Sequence, residues 1–298
     1  MKRTADRTSV LSSDDLDAGV VSVLCVTYNS ANDVVLALES AVVAVTAAGR
    51  QVELIVVDNA SRDLSVETVA RRFPEARLVR NAVNVGFGAA MNEALALAYG
   101  TTALQINPDA VLDAEAARRM LDFIDSHPRA GAGGSARDLA GTRTESAGMS
   151  PGLRSAAGHF LFLNRLLPGD RGGLWRGIQV RQRPGSRPQR VDWVGAMAAL
   201  YRTEALRQVR AFNVRFFLYG EDVDLGERSA SQGWESRVLP SAHAIHAIAG
   251  SEGHVSTRWV DALHELCRAR SGRMRLLVFD AIMTVGLTLG LRTVRRGG

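Results

Sequence analysis

The residues best suited to chemistry in this 298-residue chain stand just after its apolar runs. Thr27, Tyr28 and Asn29 close VVSVLCVTYN, Asp58 and Asn59 follow VELIVV, Asn81 and Asn84 follow ARLV, and Asn107 and Asp109 follow ALQI. Asp and Asn cap helices and make turns anywhere, but ligands of open α/β sheets bind beyond the carboxyl ends of the strands. Polar steps at four such ends favour a ligand site over four unrelated turns. Asp109 stands just past a buried run, with Pro108 stiffening its turn. Mg²⁺ takes one or two carboxylates plus substrate phosphates, so one such Asp can anchor a nucleotide diphosphate through a metal. A second cluster, Tyr219-Gly220-Glu221-Asp222-Val223-Asp224, puts three acids at a helix start. Acids are stabilised there by the helix dipole, but the preceding FFLY makes the step the floor of an apolar segment, a setting for a base rather than a solvated cap. His243 and His246 end a later run, where an imidazole near phosphate oxygens can be the non-carboxylate ligand of a divalent metal.

The elements that would position these groups follow from periodicity. Residues 20–28 and 52–58 are continuous apolar runs rich in β-branched residues, as in parallel strands buried on both faces. Helical spacing follows each, and the alternation continues through 76–79, 88–99, 103–106 and 113–127. An alternating βα series with right-handed crossovers predicts an α/β fold, with a mostly parallel twisted sheet flanked by helices. Residues 1–19 read as a flexible tail and 135–190, rich in Gly, Arg, Ser and Pro, as a long excursion. Residues 191–201 read as one strand, a helix starts near Glu221, and 255–298 is helical and basic. The predicted organisation is a catalytic domain over 20–254, divided near 134 into a nucleotide-binding and an acceptor-binding half, followed by a C-terminal helical segment.

Composition sets outer bounds. With 46% hydrophobic and 22% charged residues the chain has the make-up of a folded protein. It holds no apolar run long enough for a membrane span or a signal peptide, which predicts a cytoplasmic protein. Its two cysteines, Cys25 and Cys267, fit no metal or disulfide spacing and read as buried thiols. The net charge of +5 comes almost wholly from arginine, since Lys2 is the only lysine. A nucleic-acid partner is not expected, because aromatic platforms are scarce at 6% FWY. The one approach to GxGxxG, at Gly86-Phe-Gly88, lacks its third glycine and does not follow the first strand, and no Walker lysine exists. Dehydrogenase and P-loop chemistry are thereby set aside. A nucleotidyltransferase would want a phosphate loop with Lys or Arg after the first strand, and CVTYNSAND has neither.

Taken in order, VSVLCVTYNS, VELIVVDNASRD, NVGFGAAMN, INPDAVL, WVGAMAALYRTEAL and FFLYGEDVDLGERSASQGW resemble the rhamnosyltransferase-like branch of the inverting family 2 glycosyltransferases, which have the GT-A fold, over roughly residues 20–250. The resemblance implies a nucleotide-sugar donor, dTDP-rhamnose within this branch, and a lipid-linked acceptor, polyprenyl-diphosphate-linked N-acetylglucosamine, in the assembly of the arabinogalactan linker. Another cell-surface polysaccharide with another donor, and a non-catalytic nucleotide-sugar-binding homologue, stay open as alternatives. By position, Thr27, Tyr28, Asn29 and Asp58 would hold the nucleoside, and the turn from Asn84 through Gly86 to Asn92 would line the same pocket. Asp109 matches the last acid of the DxD metal motif, whose first acid is Asn107 here. The cation, Mg²⁺ or Mn²⁺, would therefore lean on the diphosphate, water and His246. Asp222 matches the base of the ED signature and Glu221 its neighbour, while Trp193, Gly195 and Ala196 match the strand lining the sugar site. GERSASQG and HAIHAIAG depart from the family pattern and leave the acceptor's identity open. Apolar residues set among arginines in 159–190, and the run 276–291 bracketed by arginines, predict peripheral attachment to the cytoplasmic face of a membrane. The oligomeric state is left open, a subunit contact being the alternative use of 276–291.

Overall fold

Val20 through Val26 are buried without a break, which explains why their run carries no polar alternation: both faces of the strand are covered. In the computed structural model, which describes residues 16–138, 147–163, 176–180, 187–195, 197–246 and 257–294, this strand begins earlier than its apolar stretch, at Asp17. The chain runs β1 (Asp17–Thr27), α1 (Val34–Ala47), β2 (Gln51–Asp58), α2 (Ser65–Arg72), β3 (Arg77–Arg80), α3 (Phe87–Leu97), β4 (Gly100–Ile106), β5 (Ala110–Leu112) and α4 (Ala114–Ser126). It continues with β6 (Ala130–Asp138), β7 (Ala147–Gly148), α5 (Leu153–Phe160), β8 (Gln189–Val191), β9 (Trp193–Val194), β10 (Ala198–Arg202), α6 (Thr203–Gln208), α7 (Glu221–Ser231), β11 (Glu235–His246), α8 (Thr257–Arg270) and α9 (Arg273–Val294).

The central sheet has the order β3-β2-β1-β4-β10-β6-β11-β5, with β8 added beside β11. β3, β2, β1 and β4 are mutually parallel, as the βα alternation predicts. Beyond β4 the sheet is mixed. β10 runs antiparallel to both β4 and β6, β11 is parallel to β6, and β5 and β8 are antiparallel to β11. Residues 191–201, expected as one strand, are divided: Val191 ends β8, β9 pairs with β7 in a small second sheet, and the chain turns before β10 joins the large one. The excursion expected over 135–190 holds the end of β6, β7 and α5 among its described residues.

One face of the sheet packs on α1 and α4 through Leu38, Val45, Met120 and Ile124. The other packs on α3 and α6 through Met91, Ala94 and Leu206. A third cluster, with Trp193, Phe216, Val223, Leu263 and Phe279, joins α7, α8 and α9. α9 lies against α5 so closely that a Cβ on Gly286 would meet the Cβ of Phe160 at 2.4 Å. Cys25 and Cys267 are free and buried, as expected.

Candidate active site

Parallel register lines up the strand ends. Thr27 stands opposite Asp58, and Asp58 opposite Arg80. One residue on, the ladder continues outside the strands, with Asn59 N–H donating to Thr27 O at 2.8 Å and Asn81 N–H to Asp58 O at 2.9 Å. The turns beyond are tied by side chains. Asn29 Oδ1 accepts from Arg62 N–H at 2.8 Å, Ser61 Oγ accepts from Asn29 N–H at 2.9 Å, and Asp58 Oδ2 accepts from Ser61 N–H at 3.1 Å. Asn29 takes a positive φ of 52°, a conformation Asn tolerates. What these ties leave over is informative. Thr27 Oγ1 and Asp58 Oδ1 are buried with no hydrogen-bond partner among the described residues. Buried polar atoms are nearly always paired, so two orphans on adjacent strand ends suit a ligand that supplies the donors and acceptors. Tyr28 stands beside them, half exposed.

Asn59, picked out in the sequence only by its place after the second apolar run, ties the turns together. Its amide donates to Asn84 Oδ1 at 2.8 Å and its carbonyl accepts from Val85 N–H at 3.0 Å, fixing the turn into α3, while Asn84 Oδ1 also accepts from Gly86 N–H at 3.0 Å. Its place after the second apolar run was visible, but the bonds to a turn 25 residues away were not. Gly86 is obligatory, with φ +88° and the carbonyl of Phe217 2.7 Å from where a Cβ would lie. Asn92, expected to line the pocket, instead spends both ends of its amide on the backbone of Phe212, donating at 2.8 Å and accepting at 2.9 Å. It holds the loop before α7 in place.

That loop brings the acids to the start of α3. Phe87 N–H donates to Phe217 O at 2.9 Å, and a Cβ on Gly88 would lie 3.8 Å from the Cβ of Glu221. Gly220, at φ +91°, opens α7. Glu221 is only 4% exposed, and its Oε2 has no partner among the described residues. Burial, and then the neighbouring Asp222 charge, hold its carboxyl well above the usual range. Burial also raises Asp222, against the pull of the hydrogen bond its Oδ1 accepts from Val223 N–H at 2.8 Å. The Tyr201 hydroxyl, which donates to Gln105 Oε1 at 3.5 Å, is pushed up by burial and then by the charges of Asp222 and Glu221. Asp224, the third acid, is committed elsewhere: it pairs with Arg228 at 2.6 Å, and Arg228 in turn donates to the carbonyls of Val209 and Ala211.

The metal side is thinner. Asn107 N–H donates to Met197 O at 2.9 Å, and Asp109 is half-buried in the turn between β4 and β5. Its charge reaches the buried Cys25 thiol, which burial first and Asp109 second push up to about 12. β11 pairs His246 with Ala110, the residue after Asp109. No three His, Cys, Asp or Glu side chains gather into a metal cluster among the described residues. The donor set thus fits a cation that takes most of its ligands from phosphate and water, not one held by protein alone. Trp193 is buried under α7, with its indole N–H donating to Met149 O at 3.2 Å, so its ring belongs to the core rather than to an open sugar pocket. Gly195 is half-buried in the break between β9 and β10, and Ala196 lies outside the described residues.

The family model for glycosyl transferase family 2 matches residues 22–184. The N-acetylglucosaminyl-diphospho-decaprenol L-rhamnosyltransferase of Mycobacterium tuberculosis (strain ATCC 25618 / H37Rv) is 32% identical over 234 residues, 72% of this chain and 73% of that one. Among solved structures, the mannosyltransferase PcManGT from Pyrobaculum calidifontis, in complex with GDP-Man and Mn²⁺, is similar with a TM-score of 0.58 at 16% identity, over 95% of this chain and 77% of the other. S. aureus TarS 1-349 in complex with UDP-GlcNAc has a TM-score of 0.55 at 18% identity, over 90% and 71%. GalNAc-T7 with UDP, GalNAc and Mn²⁺ has a TM-score of 0.60 at 12% identity, over 85% and 48%. At these identities the structural likeness is one of fold.

Proposed function

The chain belongs to glycosyl transferase family 2 and is a glycosyltransferase, and we propose that it transfers L-rhamnose from dTDP-rhamnose, with inversion, to a polyprenyl-diphosphate-linked N-acetylglucosamine. The observation that carries the catalytic part is the junction of two half-sites: the orphaned Thr27 and Asp58 oxygens at the strand ends, and the acid step that packs against Gly88. In this reading Thr27, Tyr28, Asn29 and Asp58 bind the nucleoside, within turns that Asn59 and Asn84 hold rigid. Asp222 accepts the proton of the acceptor hydroxyl as that oxygen bonds to the anomeric carbon and the bond to the diphosphate breaks. Its raised affinity for a proton suits a base that acts late, when the hydroxyl has become acidic. Asp109 and position 246 would hold a divalent cation, Mg²⁺ or Mn²⁺, against the diphosphate. When bound, that cation neutralises charge on the leaving group. The donor and acceptor are supported by the mycobacterial relative's activity, at 32% identity over most of both chains.

A lipid-linked acceptor calls for work at the cytoplasmic face of a membrane. Among the described residues no helix is long and apolar enough to cross one. α9 buries Phe279 and Met283 but exposes Met274, Leu277, Val278 and Val285 on its outer side, next to the exposed Arg268, Arg273 and Arg275. Apolar side chains that enter the interface beside cations that meet anionic headgroups make a peripheral anchor. The second stretch expected to contribute, 159–190, falls largely outside the described residues.

The test is a panel of nucleotide sugars incubated with purified protein, with Mg²⁺, with Mn²⁺ and with chelator, following release of the nucleotide diphosphate with and without a short-chain diphosphate-linked N-acetylglucosamine. Turnover of dTDP-rhamnose that the acceptor stimulates is expected. Turnover confined to another sugar removes the rhamnose assignment, and no turnover of any donor removes the catalytic one.

A further inference from the structure

We infer that Phe217, Leu218 and Tyr219 form the seat on which the acceptor's sugar ring lies, an inference that rests on reading Asp222 as the base. The segment Phe216-Phe217-Leu218-Tyr219 divides sharply. Phe216 is buried in the cluster with Val223 and Leu263, whereas Phe217, Leu218 and Tyr219 are 49%, 37% and 39% exposed. Three consecutive large apolar side chains facing solvent are unusual unless something covers them.

Their exposure is built in by the backbone. Tyr219 has φ +70° and Gly220 follows at φ +91°. A bulky aromatic in the left-handed region is an outlier that Gly or Asn would relieve, and such strain persists where the surroundings over-determine it, commonly at functional sites. The surroundings here do so. Phe217 O accepts from Phe87 N–H at 2.9 Å, Asn92 clamps Phe212, and a Cβ on Gly220 would meet the Phe216 ring at 3.0 Å. Arg228 holds the carbonyl of Ala211 at 2.7 Å. The loop is pinned from the donor turn, from α7 and from below, so the apolar lip is a fixed surface.

Its position and chemistry select the occupant. Tyr219 is three residues from Asp222, and the acceptor hydroxyl has to reach that carboxylate, so the molecule that carries the hydroxyl lies over the adjoining surface. Arg215, the one cation of the segment 213–220, is already paired with Glu265 at 2.6 Å, which leaves the lip without a free charge for a diphosphate. An uncharged, partly aromatic lip suits the C–H face of a pyranose, with its hydroxyl edges left to Asp222 and to solvent. Small-molecule sites are mostly apolar and aromatic with a few placed polar groups, which is the composition found here.

The experiment compares the full-length protein with its Tyr219→Gly and Tyr219→Phe variants. Each is saturated with dTDP or UDP and Mn²⁺, checked for nucleotide binding by calorimetry, and titrated with octyl glycosides of N-acetylglucosamine, glucose and mannose by saturation-transfer NMR. At least one pyranoside is expected to bind the wild type, with ring protons receiving the transfer. Tyr219→Gly should weaken it roughly tenfold, and Tyr219→Phe should restore it to within about threefold. Melting should not fall in Tyr219→Gly, since that change relieves a left-handed strain. Equal pyranoside binding by Tyr219→Gly, transfer to the alkyl chain alone, or no pyranoside bound by the wild type each overturns the proposal. A failure of the donor reading is seen separately, as absent nucleotide binding in all three proteins.

Discussion

Glu221→Gln is the substitution whose sign is least intuitive and most diagnostic. The side chain is 4% exposed, one oxygen has no partner among the described residues, and the next residue is a second, half-buried acid. Burial first and the Asp222 charge second hold the Glu221 carboxyl above its ordinary value. A group whose folded pKa is raised contributes stability that is fully present below the unfolded value, about 4.3 for Glu, and lost as pH rises through the folded one. The native protein is therefore weakened between about pH 5 and pH 8, as Glu221 is forced to ionise beside Asp222. Two carboxylates about 6 Å apart at an effective dielectric of about 20 repel by about 3 kcal/mol, an upper value before local relaxation. Gln keeps the shape and cannot ionise. Relative to wild type it should gain roughly 1–3 kcal/mol on going from pH 5 to pH 8, superimposed on a constant difference from burying an amide. Urea unfolding at pH 5, 6.5 and 8 measures this. Gln at 221 puts no charge beside Asp222, so the acid limb of the activity profile should not move to higher pH. A stability difference that is the same at all three pH values would refute the reasoning, since Glu221 would then not be forced to ionise in its buried place beside Asp222.

Asp222→Asn should leave nucleotide binding intact by calorimetry while turnover falls by about 10² to 10⁴, the span for losing a general base; survival within threefold would move the role to Glu221, since Asp224 is committed to Arg228. Asp109→Ala should weaken nucleotide-diphosphate binding in Mn²⁺ and abolish its metal dependence, and unchanged metal-sensitive affinity removes Asp109 from the site. Gly86→Ala combines a left-handed φ with a 2.7 Å approach to the Phe217 carbonyl, so it should cost about 2–4 kcal/mol in urea unfolding and lower turnover by displacing the loop before α7. Leu277→Ser with Val285→Ser should abolish salt-sensitive sedimentation with anionic liposomes without lowering the melting temperature, since both side chains are exposed; retained binding places the anchor elsewhere.

What could be read from the sequence follows from what each feature depends on. β1, β2 and β4 were visible because strands buried on both faces leave continuous apolar runs. Asp58, Asp109 and Asp222 stood out because each interrupts such a run or ends one. The direction of β10 was not visible: AALYR reads the same parallel or antiparallel, and the apolar stretch from Trp193 to Tyr201 hides the break after Val194. α5 escaped because LRSAAGHF is poor in large apolar residues, and its packing surface depends on Gly286 of α9, more than 120 residues away. The work of Asn92 and the commitment of Asp224 were hidden for the same reason. Phe212, the partner of Asn92, is brought near only by the fold, and so are the carbonyls of Val209 and Ala211 that fix Arg228, the i+4 partner of Asp224.

The antiparallel strands that periodicity did not reveal explain how the second half of the chain reaches the first half's site. In a purely parallel sheet only segments leaving the strands meet at the carboxyl edge, and each needs a crossover helix behind it. β10 reverses that relation. Pairing Ala198 with Ile106 puts the segment that enters β10, including Gly195, beside the turn that leaves β4 and carries Asn107 and Asp109. β11 runs the same way as β4 and β6, and it is β5 that is reversed; their antiparallel pairing sets His246 against Ala110 at the same turn. Two entering or closing segments thus converge on one leaving segment without a further βα unit. α7 completes the edge from above, where Gly226 permits a backbone approach to Asp192 that any Cβ would block at 2.1 Å. A residue inserted within β10 would slip that register and point its side chains to the opposite face, moving the segment through Gly195 away from the Asn107–Asp109 turn while leaving the β1–β2 pairing in place.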